Sequence, residues 1–155
     1  MITITLPNET MTIEHVVFDF NGTLAVDGKL IDSVEDKLVE LSHLVDIHVL
    51  TADTFSSATD ELKGLPLSLI CLEGKMVGRE KLEAIRHLDL DTTVTVGNGL
   101  NDIFMLQAAK VGIAVNSKEG LSVKAIESAD LYCLSVIDAI DLLLNPTRIA
   151  AGLRA

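Results

Sequence analysis

Short apolar runs recur along this chain at regular intervals, and the stretches between them carry apolar residues at helical spacing. The segments Val16 to Phe18, Asp46 to Leu50, Leu67 to Leu72, Thr93 to Val96, Val111 to Val115 and Leu131 to Leu134 predict strands. Most of them lack polar alternation, the mark of a strand covered on both faces, as in a parallel sheet. Helix patterns fall between them. Ser33 opens one in which Val34, Leu38, Leu41 and Val45 share a face, and Thr54 caps another running to Gly64. Further helices read as Lys81 to Leu88, Asp102 to Ala109, Leu121 to Ser128 and Val136 to Leu144, the last followed by Pro146. Near the start the pattern alternates instead, and predicts a strand over Ile2 to Leu6 paired as an edge hairpin with Val16 to Phe18. With no linker or repeat, this alternation predicts an α/β fold in a single domain over residues 1–155. The architecture is a three-layer, doubly wound, mostly parallel, Rossmann-like sheet with helices on both faces.

Composition narrows the function classes. A chain of 155 residues with 48 % hydrophobic content is long enough for one packed core and too apolar for disorder. Twelve Lys and Arg against 23 Asp and Glu give a net charge of −11 at pH 7, and no basic patch interrupts the acidic background. That excludes nucleic acid as a partner. No apolar run approaches membrane-spanning length, and the N-terminus lacks the basic flank of a signal peptide, so the expectation is a cytoplasmic protein without a membrane partner. Cys71 and Cys133 stand far apart, outside any Cys-x-x-Cys pattern, and read as two buried thiols. His15, His43, His48 and His87 show no ligand spacing and read as surface or strand-packing residues.

Four points along the chain carry candidate chemistry. Asp19 stands where an apolar strand gives way to Asn21-Gly22-Thr23, placing a carboxylate at a strand end beside a glycine turn. Such an Asp can attack phosphorus and carry a phosphoryl group, although Asn21-Gly22 also reads as a simple hairpin turn with a capping Asp. Thr51 is a hydroxyl at the end of a second strand, with Ala52 after it. Lys81 sits in a helical pattern, and Lys75 is the runner-up cation. The run Gly97-Asn98-Gly99-Leu100-Asn101-Asp102 is a glycine-rich loop with amide and acid groups at a third strand's end. One parallel sheet can bring these ends together.

The set resembles the haloacid dehalogenase superfamily of phosphotransferases, whose motifs are an Asp-x-Asp-Gly-Thr strand end, a strand-end Thr or Ser, a Lys, and a Gly-Asp-Gly-x-x-Asp loop. Within it, Leu50-Thr51-Ala52-Asp53, Gly97 to Asp102 and the stretch Val111 to Asp130 look like the phosphorylation domain of P-type ATPases. The resemblance implies that Asp19 is the nucleophile and that magnesium is held by Asp19, Asn98, Asp102 and the main-chain carbonyl of Asn21. It implies that Asn21, Gly22, Thr51, the Ala52 amide and Lys81 receive the phosphate, with Thr23 and Asn101 in support. Two positions depart from it. Asn21 stands where phosphatases of the superfamily carry a general acid and base, and Asn98 stands where relatives carry a charged metal ligand.

Neither the interval from Thr23 to Thr51 nor that from Thr51 to Lys81 can house a cap domain, and Asp27-Gly28 reads as a small hairpin flap. The resulting expectation is a capless, magnesium-dependent phosphatase or phosphotransferase of low turnover. Its partner is a small phosphorylated substrate or a phosphoprotein, and a neighbouring subunit covers the open site in a homo-oligomer. Two alternatives stay open. One is a degenerate module that binds phosphate, metal or protein without turnover; the other is a receiver-like domain, although no acidic pair precedes Asp19 on an earlier strand.

Overall fold

A computed structural model describes residues 1–52 and 57–154. The predicted roles of Asp53 and Thr54 lie outside those residues. At the centre stands β3 (His15–Asp19), whose Val16, Val17 and Phe18 are fully buried, as an uninterrupted apolar run requires of a strand packed on both faces. It pairs in parallel with β6 (Asp46–Thr51) on one side and β8 (Thr93–Gly97) on the other. Outward from β6 lies β7 (Ser68–Cys71), and outward from β8 lie β9 (Val111–Val115) and β10 (Leu131–Cys133). The order β10-β9-β8-β3-β6-β7 is that of a doubly wound parallel sheet, and the winding reverses at β3, where its crevice opens.

Alternation along β3 sends Val16 and Phe18 to one layer and Val17 and Asp19 to the other. On the first side pack α1 (Val34–Ser42) and α6 (Val136–Leu144), and α7 (Pro146–Leu153) packs on α6. On the second, Val17 and Leu50 meet Ile85 and Leu88 from α3 (Val77–Ile85) and its end, and Met105 from α4 (Ile103–Ala108). The fold also includes α2 (Ser57–Glu61), and α5 (Val123–Ser128) lies against α4. The flap is a two-stranded hairpin, β4 (Ala25–Val26) and β5 (Lys29–Leu30), turned at Asp27 and Gly28. Among the described residues it is the only insertion between β3 and α1, and no cap domain follows β6.

Several local expectations need correction. The first segment, β1 (Ile2–Thr5), pairs with β2 (Thr10–Ile13) rather than with Val16 to Phe18, because both edges of β3 are already taken by β6 and β8. The hairpin buries Ile2, Ile4, Met11 and Ile13 and is covered by α7, so the C-terminal tail is locally packed through Ile149. β7 is an edge strand with exposed ends, which leaves Cys71 exposed while Cys133 is buried. Lys81 does not open a helix but sits in the middle of α3, which begins at Val77. α1 begins at Val34 as predicted, yet Ser33 adopts φ 70° and makes no side-chain cap bond. No helix among the described residues is long and apolar enough to cross a membrane.

Candidate active site

The carboxyl ends of β3, β6 and β8 meet where the sheet reverses, and each delivers one candidate residue. β3 ends in Asp19, 5 % exposed and pointing toward the α3 layer. β6 ends in Thr51, 2 % exposed, hydrogen-bonded in register beside it through the Phe20 amide on the Leu50 carbonyl. α3 crosses over the same layer. Ile85 anchors it in the apolar cluster, and Lys81, one turn earlier on the same face, is fully buried over the strand ends.

Lys81 Nζ donates to Asp19 Oδ1 at 2.5 Å and to Asp102 Oδ1 at 2.6 Å, with Asn101 Oδ1 at 3.4 Å. Asp102 is fully buried, and its Oδ2 accepts from the main-chain amides of Asn98 and Gly99 at 2.9 Å each. The turn after β8 thus closes on its own carboxylate. Gly97 allows this, since a Cβ there would lie 2.5 Å from Asp102 Cγ. Thr23 is fully buried, and its hydroxyl donates to Asn98 Oδ1 at 3.3 Å. Asn98 Nδ2 donates to the Gly120 carbonyl at 3.2 Å, and its own carbonyl accepts from Ser122 N at 2.9 Å.

Two carboxylates around one ammonium leave a net negative charge in a buried place. Burial, and then the charge of Asp102, raise the Asp19 pKa from 3.8 to about 7; the Lys81 charge and the hydrogen bonds from Lys81 and Thr23 oppose that rise. For Lys81, burial works against the ammonium, but Asp19 and Asp102 outweigh it and hold its pKa above the ordinary lysine value. Lys81 therefore stays charged and Asp19 is the group poised to take up a proton.

Of the candidate site residues that the structure describes, Asp19, Lys81, Asn101 and Asp102 are joined directly by hydrogen bonds, and the others lie at the ends of β3 and β6 and in the turn after β8. Asp19, Thr51, Lys81 and Asp102 form the buried floor, with Thr23 beneath Asn98. Asn21, Ala52 and Asn101 stand exposed at the rim, with Asn98 and Gly99 half-buried and Gly22 buried behind Asn21. The runner-up cation Lys75 is not among them: it is exposed on a neighbouring groove with Met76, Arg79, Leu100 and Phe104. The histidines are remote. His15 and His48 meet at 3.3 Å on the opposite, amino-terminal edge of the sheet, beside Asp46. Sequence reading missed Gly120 and Glu119, whose carbonyl and carboxylate hold Asn98 Nδ2 and the Asp27 amide. Each acts through a contact with a segment remote in the chain, and no motif marks such contacts.

The donor set suits a hard cation. Asp19 and Asp102 offer carboxylate oxygens, Asn98 and the Asn21 main chain offer amide oxygens, and magnesium typically takes one or two carboxylates with water and phosphate. No group of three or more His, Cys, Asp or Glu side chains able to hold a metal ion gathers among the described residues.

A parallel sheet with Asp, Thr, Lys and Asp at its reversal has the arrangement that the resemblance of the sequence motifs implies. The family model of the haloacid dehalogenase-like hydrolases matches residues 73–130. An uncharacterized protein of Methanocaldococcus jannaschii is 43 % identical over 61 residues, 39 % of this chain and 66 % of that one. A copper-transporting ATPase of Oryza sativa subsp. japonica is 33 % identical over 129 residues, 78 % of this chain and 13 % of the ATPase. The chain thus spans less than two thirds of either relative's own length. Among solved structures, the 3-deoxy-D-manno-octulosonate 8-phosphate phosphatase from Moraxella catarrhalis, in complex with magnesium ion, phosphate ion and a KDO molecule, superposes with a TM-score of 0.65. The match is at 19 % identity and covers 90 % of each chain. The chain is thus similar to the haloacid dehalogenase-like hydrolases over residues 73–130 and to P-type ATPases over most of its length, and it shares the fold of the Moraxella phosphatase.

Proposed function

We infer that this protein is a magnesium-dependent phosphatase or phosphotransferase that works through an aspartyl phosphate on Asp19. The observation that carries this reading is the buried Asp19–Lys81–Asp102 cluster at the reversal point of the sheet. Asp19 Oδ2, the oxygen that Lys81 does not hold, attacks phosphorus, and Lys81 stays as a fixed cation that offsets charge shared between Asp19 and the phosphoryl group. The Thr51 hydroxyl and the Ala52 amide stand at the neighbouring strand end to orient phosphoryl oxygens, with Gly22 beside them. Asp19, Asp102, the Asn98 amide oxygen and the Asn21 carbonyl would hold magnesium, which neutralises charge on the phosphoryl oxygens. That the Moraxella phosphatase holds magnesium and phosphate in the same fold supports this assignment.

Asn21 lowers turnover, because a carboxamide cannot shuttle a proton and general acid–base catalysis is typically worth about 10² to 10⁴ in rate. The partner is a small phosphorylated substrate or a phosphoprotein, reached through an uncapped mouth. Labelled phosphoryl donors with magnesium, followed by an acid quench, test the reading. An acid-stable, hydroxylamine-sensitive label that disappears in Asp19→Asn is the expected result. Retention of most turnover in that variant would remove the covalent mechanism, and absence of any label or turnover would leave a binding module.

A further inference from the structure

The groove that carries Lys75 is built by packing. Gly78, in the first turn of α3, lies so close to the turn after β8 that a Cβ there would stand 3.4 Å from the Asn101 carbonyl oxygen and 3.5 Å from the Phe104 ring. That seam between α3 and α4 is the floor, and the exposed side chains of Met76, Leu100 and Phe104 line it. Single apolar residues on a surface need no explanation, whereas three sharing one groove mark a place for a ligand or partner. Its volume is about 610 Å³. Small-molecule sites run from roughly 300 to 1,000 Å³. Asn101 joins the groove to the site, since it lines the one and its Oδ1 lies 3.4 Å from Lys81 Nζ in the other.

Charge separates this groove from the rest of the surface. In a chain of net charge −11, its charged lining residues among those described are Lys75 and Arg79, both cations. The two acids of α3 are engaged elsewhere: Glu80 accepts from the Gly74 amide at 2.9 Å, and Glu83 pairs with Arg86 at 2.9 Å. Neither Lys75 nor Arg79 makes an ion pair among the described residues. We propose, on the reading that Asp19 accepts the phosphoryl group, that this groove binds the part of the substrate that is not transferred, and that this part is a flat apolar body carrying a second anionic group. Phe104 and Met76 suit an aromatic ring, through ring stacking and sulfur contact. Lys75 and Arg79 hold the anion, with the Arg79 fork matching a carboxylate or phosphate in two bonds.

The first measurement needs no turnover. Ligand-observed NMR follows 6-hydroxy-2-naphthoate, a flat apolar anion without phosphate, and 2-naphthol, its uncharged counterpart. Wild type is expected to bind the naphthoate more tightly than the naphthol, and the double variant Lys75→Gln, Arg79→Gln to lose roughly fivefold to tenfold of that affinity, the sum of two exposed ion pairs. The second measurement compares kcat/KM for 2-naphthyl phosphate and 6-carboxy-2-naphthyl phosphate. Wild type should prefer the carboxylated ester by a similar factor, and the double variant should lose the preference through KM, as contacts remote from the reacting atoms do. Phe104→Ala should lower kcat/KM for both esters relative to acetyl phosphate by roughly threefold to tenfold. Equal use of the two esters by wild type, or naphthoate binding indifferent to the double variant, overturns the groove while leaving the aspartyl phosphate intact. Naphthoate affinity that weakens as protein concentration rises gives the groove to a second copy of the chain and overturns the proposal as well. Charge-dependent naphthoate binding with no Asp19-dependent label or turnover from any ester overturns the phosphotransfer reading, and the substrate role of the groove with it.

Discussion

At the scale of single residues, the chemistry of this site is set by how charge is balanced around Lys81. Asp19 binds its proton in the folded state with a pKa of about 7, against 3.8 in its ordinary state. Between those values the folded protein holds more protons than the unfolded one, so stability falls as pH rises through that window, by up to ~1.4 kcal/mol per pH unit. Asp19→Asn removes the titration and leaves a neutral Lys81–Asp102 pair. Its melting temperature is expected to exceed the wild type's at pH 8 and to vary less between pH 4 and 7. Calorimetric scans of both forms across pH decide this, and a less stable variant at pH 8 would show that Lys81 needs Asp19 more than the site suffers from its charge. On the proposed mechanism activity follows the opposite sign, because the attacking form would be the carboxylate: the rate of label formation should fall as pH drops below about 7. Asn98 is the other informative residue. Its amide is engaged by Thr23 and Gly120, and Asn98→Asp trades those neutral contacts for an anionic oxygen near Asp19 and Asp102. Magnesium affinity should rise by roughly tenfold, about 1.4 kcal/mol, on titration calorimetry. Equal affinities would place position 98 outside the ligand set.

At the scale of elements, two local arrangements hold the cluster together. The turn after β8 is shaped by Asp102 folding back on the amides of Asn98 and Gly99, and it closes only because Gly97 has no side chain. Gly97→Ala should therefore displace Asp102, destabilise the fold by about 1 to 3 kcal/mol as overpacking does, and cut phosphoryl transfer strongly. Denaturant melts together with the label assay check it, and an active variant of unchanged stability would mean that the turn relaxes freely. The second arrangement is α3, in which Ile85 packs on Val17 and Leu50 and holds Lys81 over the strand ends. Lys81→Met leaves Asp19 and Asp102 facing each other without a counter-charge. Removing one partner of a buried charge group typically costs about 3 to 5 kcal/mol. The loss should be largest at alkaline pH, where neither carboxyl can escape by taking a proton, and pH-resolved melts read it directly.

At the scale of the molecule, the open mouth is the governing feature. With a hairpin of β4 and β5 as its only cover from within the described chain, the site is exposed to water, which active sites commonly exclude. Met76, Leu100 and Phe104 are exposed beside it, at 58 %, 62 % and 44 %. Self-association that covers this face is the expected outcome, and light scattering at micromolar concentration measures it. A strict monomer would instead point to a macromolecular phosphorylated partner as the cover.

The local pattern of the chain determined the element order, the parallel sheet and the four strand-end and helix positions that the structure brings together at the sheet's reversal. Buried strands and strand-end motifs are written in short windows, where hydrophobic period and glycine placement act directly. Other features were decided only in the tertiary structure, because they depend on which surfaces meet. The first strand turned to its own hairpin since β6 and β8 had filled the edges of β3. Cys71 became exposed because β7 lies at the sheet's edge. Lys81 gained its raised proton affinity from two carboxylates, one 62 residues before it and one 21 residues after, brought within 2.6 Å. Charge coupling of that kind depends on distance in space, which residue spacing along the chain does not encode.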